Sequence, residues 1–223
     1  MTELTASMPY GSWPSPITAE TLTAGVRGLS EIASDEGRLF WLESRPWEQG
    51  RAVVVAQGAA GPVDVTPPPY NVRTRVHEYG GAAWTVADTE LYFVHMEDQR
   101  LYRIKLPALD DAAAETKPRP RNTADKAALA TGSDRAAVPL TASGPRRFAD
   151  LVLDRARGRL IAVCEDHSRS DREAVNSLVA IDIPAEPAQP GVDWPLVEPR
   201  TLTAGYDFYA APSLSPDGRH LAW

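Results

Sequence analysis

Short apolar runs, fenced by glycine, proline or charged residues, recur along this chain. Leu39-Phe40-Trp41-Leu42 follows Gly37-Arg38, and Ala52-Val53-Val54-Val55 follows Arg51. β-branched and aromatic residues between polar turn residues are the signature of strands on a half-buried pleated surface. The pattern returns over residues 81–86, 91–94 and 101–106, then over 148–153, 160–163 and 178–183. A fourth round runs from 208 to 214, turns at Ser215-Pro216-Asp217-Gly218 and restarts at His220-Leu221-Ala222-Trp223. In that turn proline presets φ and glycine supplies the positive φ that closes it.

The rounds align on the leucine that opens each second strand, Leu39, Leu91, Leu160 and Leu221, at spacings of 52, 69 and 61 residues. A loose period of about 50 residues with several strands per unit predicts propeller blades. Each blade is a small sheet that buries its faces only when neighbours stack on it. The predicted fold is all-β, an incomplete β-propeller of about three to four blades. A short helical arm precedes it: Thr18 can cap a helix over residues 19–24, about two turns long, and Gly25 stops it. The predicted division is an arm over 1–27 and a partial propeller over 28–223. A low-complexity insertion near 108–147 explains the longest spacing, because a stretch rich in Ala, Pro and charge buries too little apolar area to offset its ordering entropy. The last strand, ending at Trp223, has no following partner, so the sequence is expected to be part of a longer chain.

Composition narrows the function. Of 223 residues 43% are hydrophobic, the net charge is −7 and the pI is about 5.2. Phosphate backbones are bound by clustered Lys and Arg, so no nucleic-acid partner is expected. No apolar run approaches the roughly 20 residues of a membrane helix, and the first residues lack the basic and apolar regions of a signal peptide. Cys164 stands alone, which fits a reducing compartment. A soluble cytoplasmic protein without membrane partner or cofactor is the expectation.

Three segments carry a family resemblance: Pro9-Tyr10-Gly11-Ser12-Trp13-Pro14-Ser15-Pro16-Ile17, then Pro69-Tyr70-Asn71-Val72-Arg73-Thr74-Arg75-Val76-His77-Glu78-Tyr79-Gly80-Gly81, and Arg147-Phe148-Ala149-Asp150 with its continuation to Glu165-Asp166-His167. With Asp207-Phe208-Tyr209 they resemble the propeller half of the acylaminoacyl-peptidase and dipeptidyl-peptidase branch of the prolyl oligopeptidase family. The resemblance implies a serine peptidase acting on short peptides, in which a C-terminal α/β-hydrolase domain holds the Ser-His-Asp machinery and the propeller restricts access to it. That domain is absent from these 223 residues. The nucleophile of such domains sits in Gly-x-Ser-x-Gly. The nearest approach, Gly28-Leu29-Ser30-Glu31-Ile32, lacks the second glycine and lies in a predicted strand. No catalytic residue is therefore expected here; the expected partners are a peptide substrate and the missing hydrolase domain. The alternative is a TolB- or WD40-like propeller serving as a non-enzymatic binding scaffold.

Arg73, Arg75, His77 and Glu78 are the candidate substrate-binding residues. Guanidinium groups clamp carboxylates and carbonyls, and a carboxylate takes an ammonium. In an extended segment Arg73, Arg75 and His77 share one face. The same residues also fit an Arg–Glu network that pins a crossing between blades. His77-Glu78 is not read as a metal motif, because the position that needs a second histidine is Gly81. Glu165-Asp166-His167 reads as a structural polar cluster, His95 and His220 as half-exposed strand residues, and Cys164 as a small buried apolar residue. Trp41, Trp84 and Trp223 read as core aromatics at comparable blade positions. Trp13 is expected to pack near the junction with the hydrolase domain.

Overall fold

Each of the three long apolar rounds folds as a four-stranded antiparallel meander. The computed structural model describes residues 9–12, 14–23, 25–87, 89–106, 137–169, 171–185 and 194–223. The first sheet is β1 (Gly28–Asp35), β2 (Arg38–Arg45), β3 (Arg51–Gly58) and β4 (Gly61–Asp64), in that order. The second is β5 (Trp84–Ala87), β6 (Glu90–Val94), β7 (Leu101–Lys105) and β8 (Val138–Pro139). The third is β9 (Arg146–Asp154), β10 (Arg159–Asp166), β11 (Val175–Asp182) and β12 (Arg200–Ala204). A two-stranded fourth sheet pairs β13 (Ser213–Leu214) with β14 (Leu221–Ala222).

The sheets pack face to face. Phe40 and Val54 of the first meet Leu91, Phe93 and Ile104 of the second. Tyr92, Val94 and Leu101 on the other face of the second meet Phe148, Leu151 and Leu160 of the third. Ala149, Val163 and Leu178 of the third take Val76 and Tyr209. Burying a Leu, Val or Phe side chain stabilises by roughly 1.5–3 kcal/mol, so these layers hold the array together.

The aligned leucines occupy one structural position. Leu39 pairs with Ser34, Leu91 with Val86, Leu160 with Leu153 and Leu221 with Leu214. A bulge also repeats. In the first sheet Glu31 and Ile32 stand together opposite Trp41, between the pairs Ser30–Leu42 and Ala33–Phe40. In the third, Asp150 and Leu151 stand opposite Ala162, between Ala149–Val163 and Val152–Ile161. The leading bulge residue is left-handed in each, with φ of 50° at Glu31 and 52° at Asp150, and Ala211 takes φ 46° at the matching place before β13. Such conformations are costly for residues with a Cβ and are tolerated best by Asp and Asn.

The repeat exposes a contrast. In the third sheet the bulge residue Leu151 is 7% exposed, packed against the second sheet, whereas its counterpart Ile32 is 75% exposed. Leu29 and Leu39 are exposed with it. Among the described residues no sheet lies against that face.

Several expectations are corrected. The helical arm is a single turn, α1 (Ala19–Thr23), with Thr18 Oγ1 accepting the Thr21 N–H at 3.1 Å; its Leu22 is exposed, so that side chain buries no apolar surface to extend it. The strand expected over 81–86 begins only at Trp84. Residues 137–147, placed in the insertion by composition, supply β8, the buried Leu140 and Thr141, and the start of β9; residues 108–136 of that insertion lie outside the described residues. Trp13 lies outside them as well. Trp41 and Trp223 do share a position, each two residues after the aligned leucine, but Trp84 opens a first strand and only it is fully buried. His95 is buried rather than half-exposed, its ring beside Asn71 and Glu97, and His220 is exposed.

Cys164 is buried in β10 as expected, and burial pushes its thiol up to about 12. Because the thiolate is the nucleophile, the folded chain is expected to resist a thiol reagent at pH 8 and to react at once in denaturant. Equal labelling rates in the two conditions would overturn the buried placement.

Candidate functional site

After β4 the chain runs extended along the second sheet. Val72 bridges His95, the Arg73 N–H donates to the Val94 carbonyl at 3.2 Å, and the Arg75 N–H donates to Gln99 Oε1 at 2.8 Å. Extended backbone alternates its side chains, so Val72, Thr74 and Val76 are buried while Arg73 and Arg75 face out. The expected three-residue face stops at two. At His77 and Glu78 φ becomes 56° and 62°, and a turn closes through Glu78 N–H to the Arg75 carbonyl (3.0 Å) and Gly80 N–H to the Val76 carbonyl (2.8 Å). His77 therefore leaves the arginine face.

Its ring enters a polar cluster around Glu165, a buried carboxylate near the end of β10. Glu165 Oε1 accepts the His77 N–H at 2.7 Å and lies 3.2 Å from His77 Nδ1; Oε2 lies 3.1 Å from His167 Nε2 and 3.7 Å from Arg147. On its other side His77 Nε2 donates to the Tyr209 carbonyl at 3.1 Å. Arg147 donates to Glu78 at 2.7 Å and to the Arg75 carbonyl at 3.0 Å. The hydrogen bond from Arg147, and then its charge, hold the exposed Glu78 carboxyl below the usual carboxylate range. Tyr79 and Phe208 flank the His77 ring at 5.7 and 5.2 Å, and both are largely exposed. The cluster thus ties the connector, the third sheet and the segment before the fourth. The Arg–Glu pair within it uses Arg147, not Arg73 or Arg75.

The residues after the turn come close to the third sheet. A Cβ at Gly81 would lie 2.9 Å from Asp150 Oδ1 and 3.0 Å from the Ala149 Cβ, so only glycine fits. The Asp150 carboxylate then accepts the N–H groups of Ala82 and Ala211, each at 2.9 Å, and joins three segments of chain.

Arg73 belongs to a different place. It lines an open pocket of about 470 Å³ between the bulge of β1 and the connector, with Glu31, Ser30, Ser44 and Tyr79 on the walls and Leu42 and Val72 beneath. Its guanidinium makes no hydrogen bond or ion pair among the described residues. Of the four predicted residues, three gather at the Glu165 cluster and its edge, and Arg73 stands apart from them in this pocket.

The sequence reading missed Glu31 as a site residue and missed Arg147 as the partner of Glu78. Arg147 was within reach, since it opens one of the segments that carry the resemblance; Glu31 had no local signal.

No family model matches this chain, and no curated protein does. Solved structures do. A puromycin-hydrolysing peptidase of Mycobacterium tuberculosis superposes with a TM-score of 0.70 at 31% identity, over 98% of this chain and 30% of that one. A puromycin hydrolase superposes at 0.71 and 28% identity, over 97% and 30%. A serine-to-alanine mutant of puromycin hydrolase, complexed with PGG, gives 0.71 and 28% over 97% and 31%. The chain resembles the N-terminal propeller region of these peptidases. It spans about 30% of their length. Against puromycin-hydrolysing peptidases the all-β architecture is the matching part, and the Gly-x-Ser-x-Gly element is found nowhere in the 223 residues. Among the described residues no helix is long and apolar enough to cross a membrane.

Proposed function

We propose that this chain is the non-catalytic propeller part of a serine peptidase that hydrolyses short peptides, and that its role is to restrict which substrates reach the hydrolytic site. One observation carries the reading: 98% of the chain superposes on a puromycin-hydrolysing peptidase at 31% identity while spanning 30% of it. Stacked sheets suit the role. A rigid array positions its connectors, and connectors are where binding groups gather. Arg75, exposed beside the Glu78–Arg147 pair, and the Tyr79 and Phe208 rings offer a charged and aromatic rim for a peptide; the cluster behind them holds that rim in place.

In this reading the nucleophile and oxyanion hole belong to a hydrolase domain, and the propeller contributes no reacting atom. The test has two arms. The purified 223-residue chain is expected to release nothing from puromycin or from aminoacyl p-nitroanilides, and turnover that survives repurification would overturn the non-catalytic role. The source DNA beyond codon 223 is expected to run on in frame into Gly-x-Ser-x-Gly followed by Asp and His. A stop codon there would overturn the peptidase reading.

A further inference from the structure

Glu31 and Asp150 occupy the same bulge position with nearly the same φ, yet their carboxyls are used differently. Asp150 is saturated, with an N–H at 2.9 Å on each oxygen. Glu31 has one long contact, from the Ala83 N–H at 3.4 Å. Beside it the buried indole N–H of Trp84 acts on the carboxyl as a second, weak donor without closing a hydrogen bond of normal geometry. The Glu31 carboxyl is half-buried at the pocket wall and meets two weak donors where Asp150 has two good ones. Burial pushes the Glu31 carboxyl above its usual range, and the charge that acts on it is the like charge of Asp150. Among the described residues no cation makes an ion pair with it, Arg73 on the same pocket included.

The pocket therefore presents an acid and a base that do not pair with each other. Hydroxyls stand at Ser30, Ser44 and Tyr79, and an apolar floor lies between at Leu42 and Val72. Its volume of about 470 Å³ falls within the range of small-molecule sites. We propose that this pocket binds a short zwitterionic peptide, with its ammonium on Glu31, its carboxylate on Arg73 and an apolar side chain over Leu42 and Val72. The ammonium supplies the cationic partner that Glu31 lacks among the described residues, and a guanidinium takes the carboxylate in its bidentate geometry. The choice of a peptide over another zwitterion rests on the proposed function; the pocket's two-charge chemistry does not.

The test is calorimetric titration of the 223-residue chain with Gly-Leu, N-acetyl-Gly-Leu and Gly-Leu-amide at neutral pH and low salt. Gly-Leu is expected to bind saturably at one site, and blocking either end is expected to weaken it by about tenfold or more, as the loss of one charged hydrogen bond implies. Arg73→Gln is expected to abolish the difference between Gly-Leu and its amide while leaving the difference on acetylation. Glu31→Gln is expected to do the reverse. Arg73 is exposed, so its variant reports even if the bulge variant folds poorly. No saturable binding, or equal binding of the blocked peptides, overturns the assignment. Neither result bears on hydrolysis or on the reading frame, so this inference and the propeller role fail separately.

Discussion

Arg45→Met is expected to destabilise the chain by about 3–5 kcal/mol, the cost of breaking a buried ion pair from one side. Arg45 ends β2, is 3% exposed, and fills all its donors with acids. It makes two bonds of 2.7 Å to Asp64 at the end of β4, bonds of 3.2 and 3.0 Å to Glu43, and one of 3.2 Å to Glu48. Burial acts to lower its pKa, but the hydrogen bonds to Asp64 and the charges of Asp64, Glu48 and Glu43 outweigh burial and raise it. Methionine matches the stem but takes from Glu43, 2% exposed, its nearest guanidinium, while the Arg27 guanidinium stays at 4.0 Å and the Trp41 indole N–H at 3.3 Å. The loss is read from urea unfolding as a lower midpoint at constant slope. A loss below about 1 kcal/mol would place the network at the level of a surface pair and overturn its buried character. The double variant Arg45→Met/Glu43→Leu is expected to recover much of the loss, because the stranded charge goes with its partner.

Asp150→Ala is expected to cost about 2–4 kcal/mol, from one or two charge-assisted hydrogen bonds and a left-handed alanine. The carboxylate holds Ala82 before the second sheet and Ala211 before the fourth. Asp150→Gly separates the two contributions, since glycine takes φ 52° without strain and still lacks the carboxylate. Glycine is expected to recover about 1 kcal/mol of the loss. If both variants unfold like the parent, Asp150 does not join the three segments.

The inner strands of each sheet were readable because they are apolar on both faces and lie between turn residues. Leu39, Leu91, Leu160 and Leu221 marked equivalent positions with nothing but spacing to go on. The last strand of each sheet was not readable for an equally physical reason. β4 begins Gly61-Pro62 and β8 is Val138-Pro139, and proline is admitted where a ladder needs no donor on one side. β12, Arg200–Ala204, is polar and mostly solvated. At the candidate site, the outward alternation of Arg73 and Arg75 followed from period two alone. The departure of His77 did not, since its partners Glu165 and Tyr209 lie 88 and 132 residues away and no local residue announces the turn that sends it to them. The bulge was equally hidden. Glu31 and Asp150 stand eight and ten residues before their aligned leucines, because the turns between the first two strands of each sheet differ in length.

The strand order has a consequence in time. Within every sheet each strand pairs only with its neighbours in sequence. Most of the connections are short, those from β7 to β8 and from β11 to β12 excepted, and short loops cost little entropy to close, so the hairpins they join can form early and on their own. The ties across sheets, His77 to Glu165 and Asp150 to Ala211, span 88 and 61 residues and must wait until the meanders exist. Interactions made after the folding barrier act on unfolding and hardly on folding. The ties therefore set how long the array lasts once built, while the strands set how fast it is built.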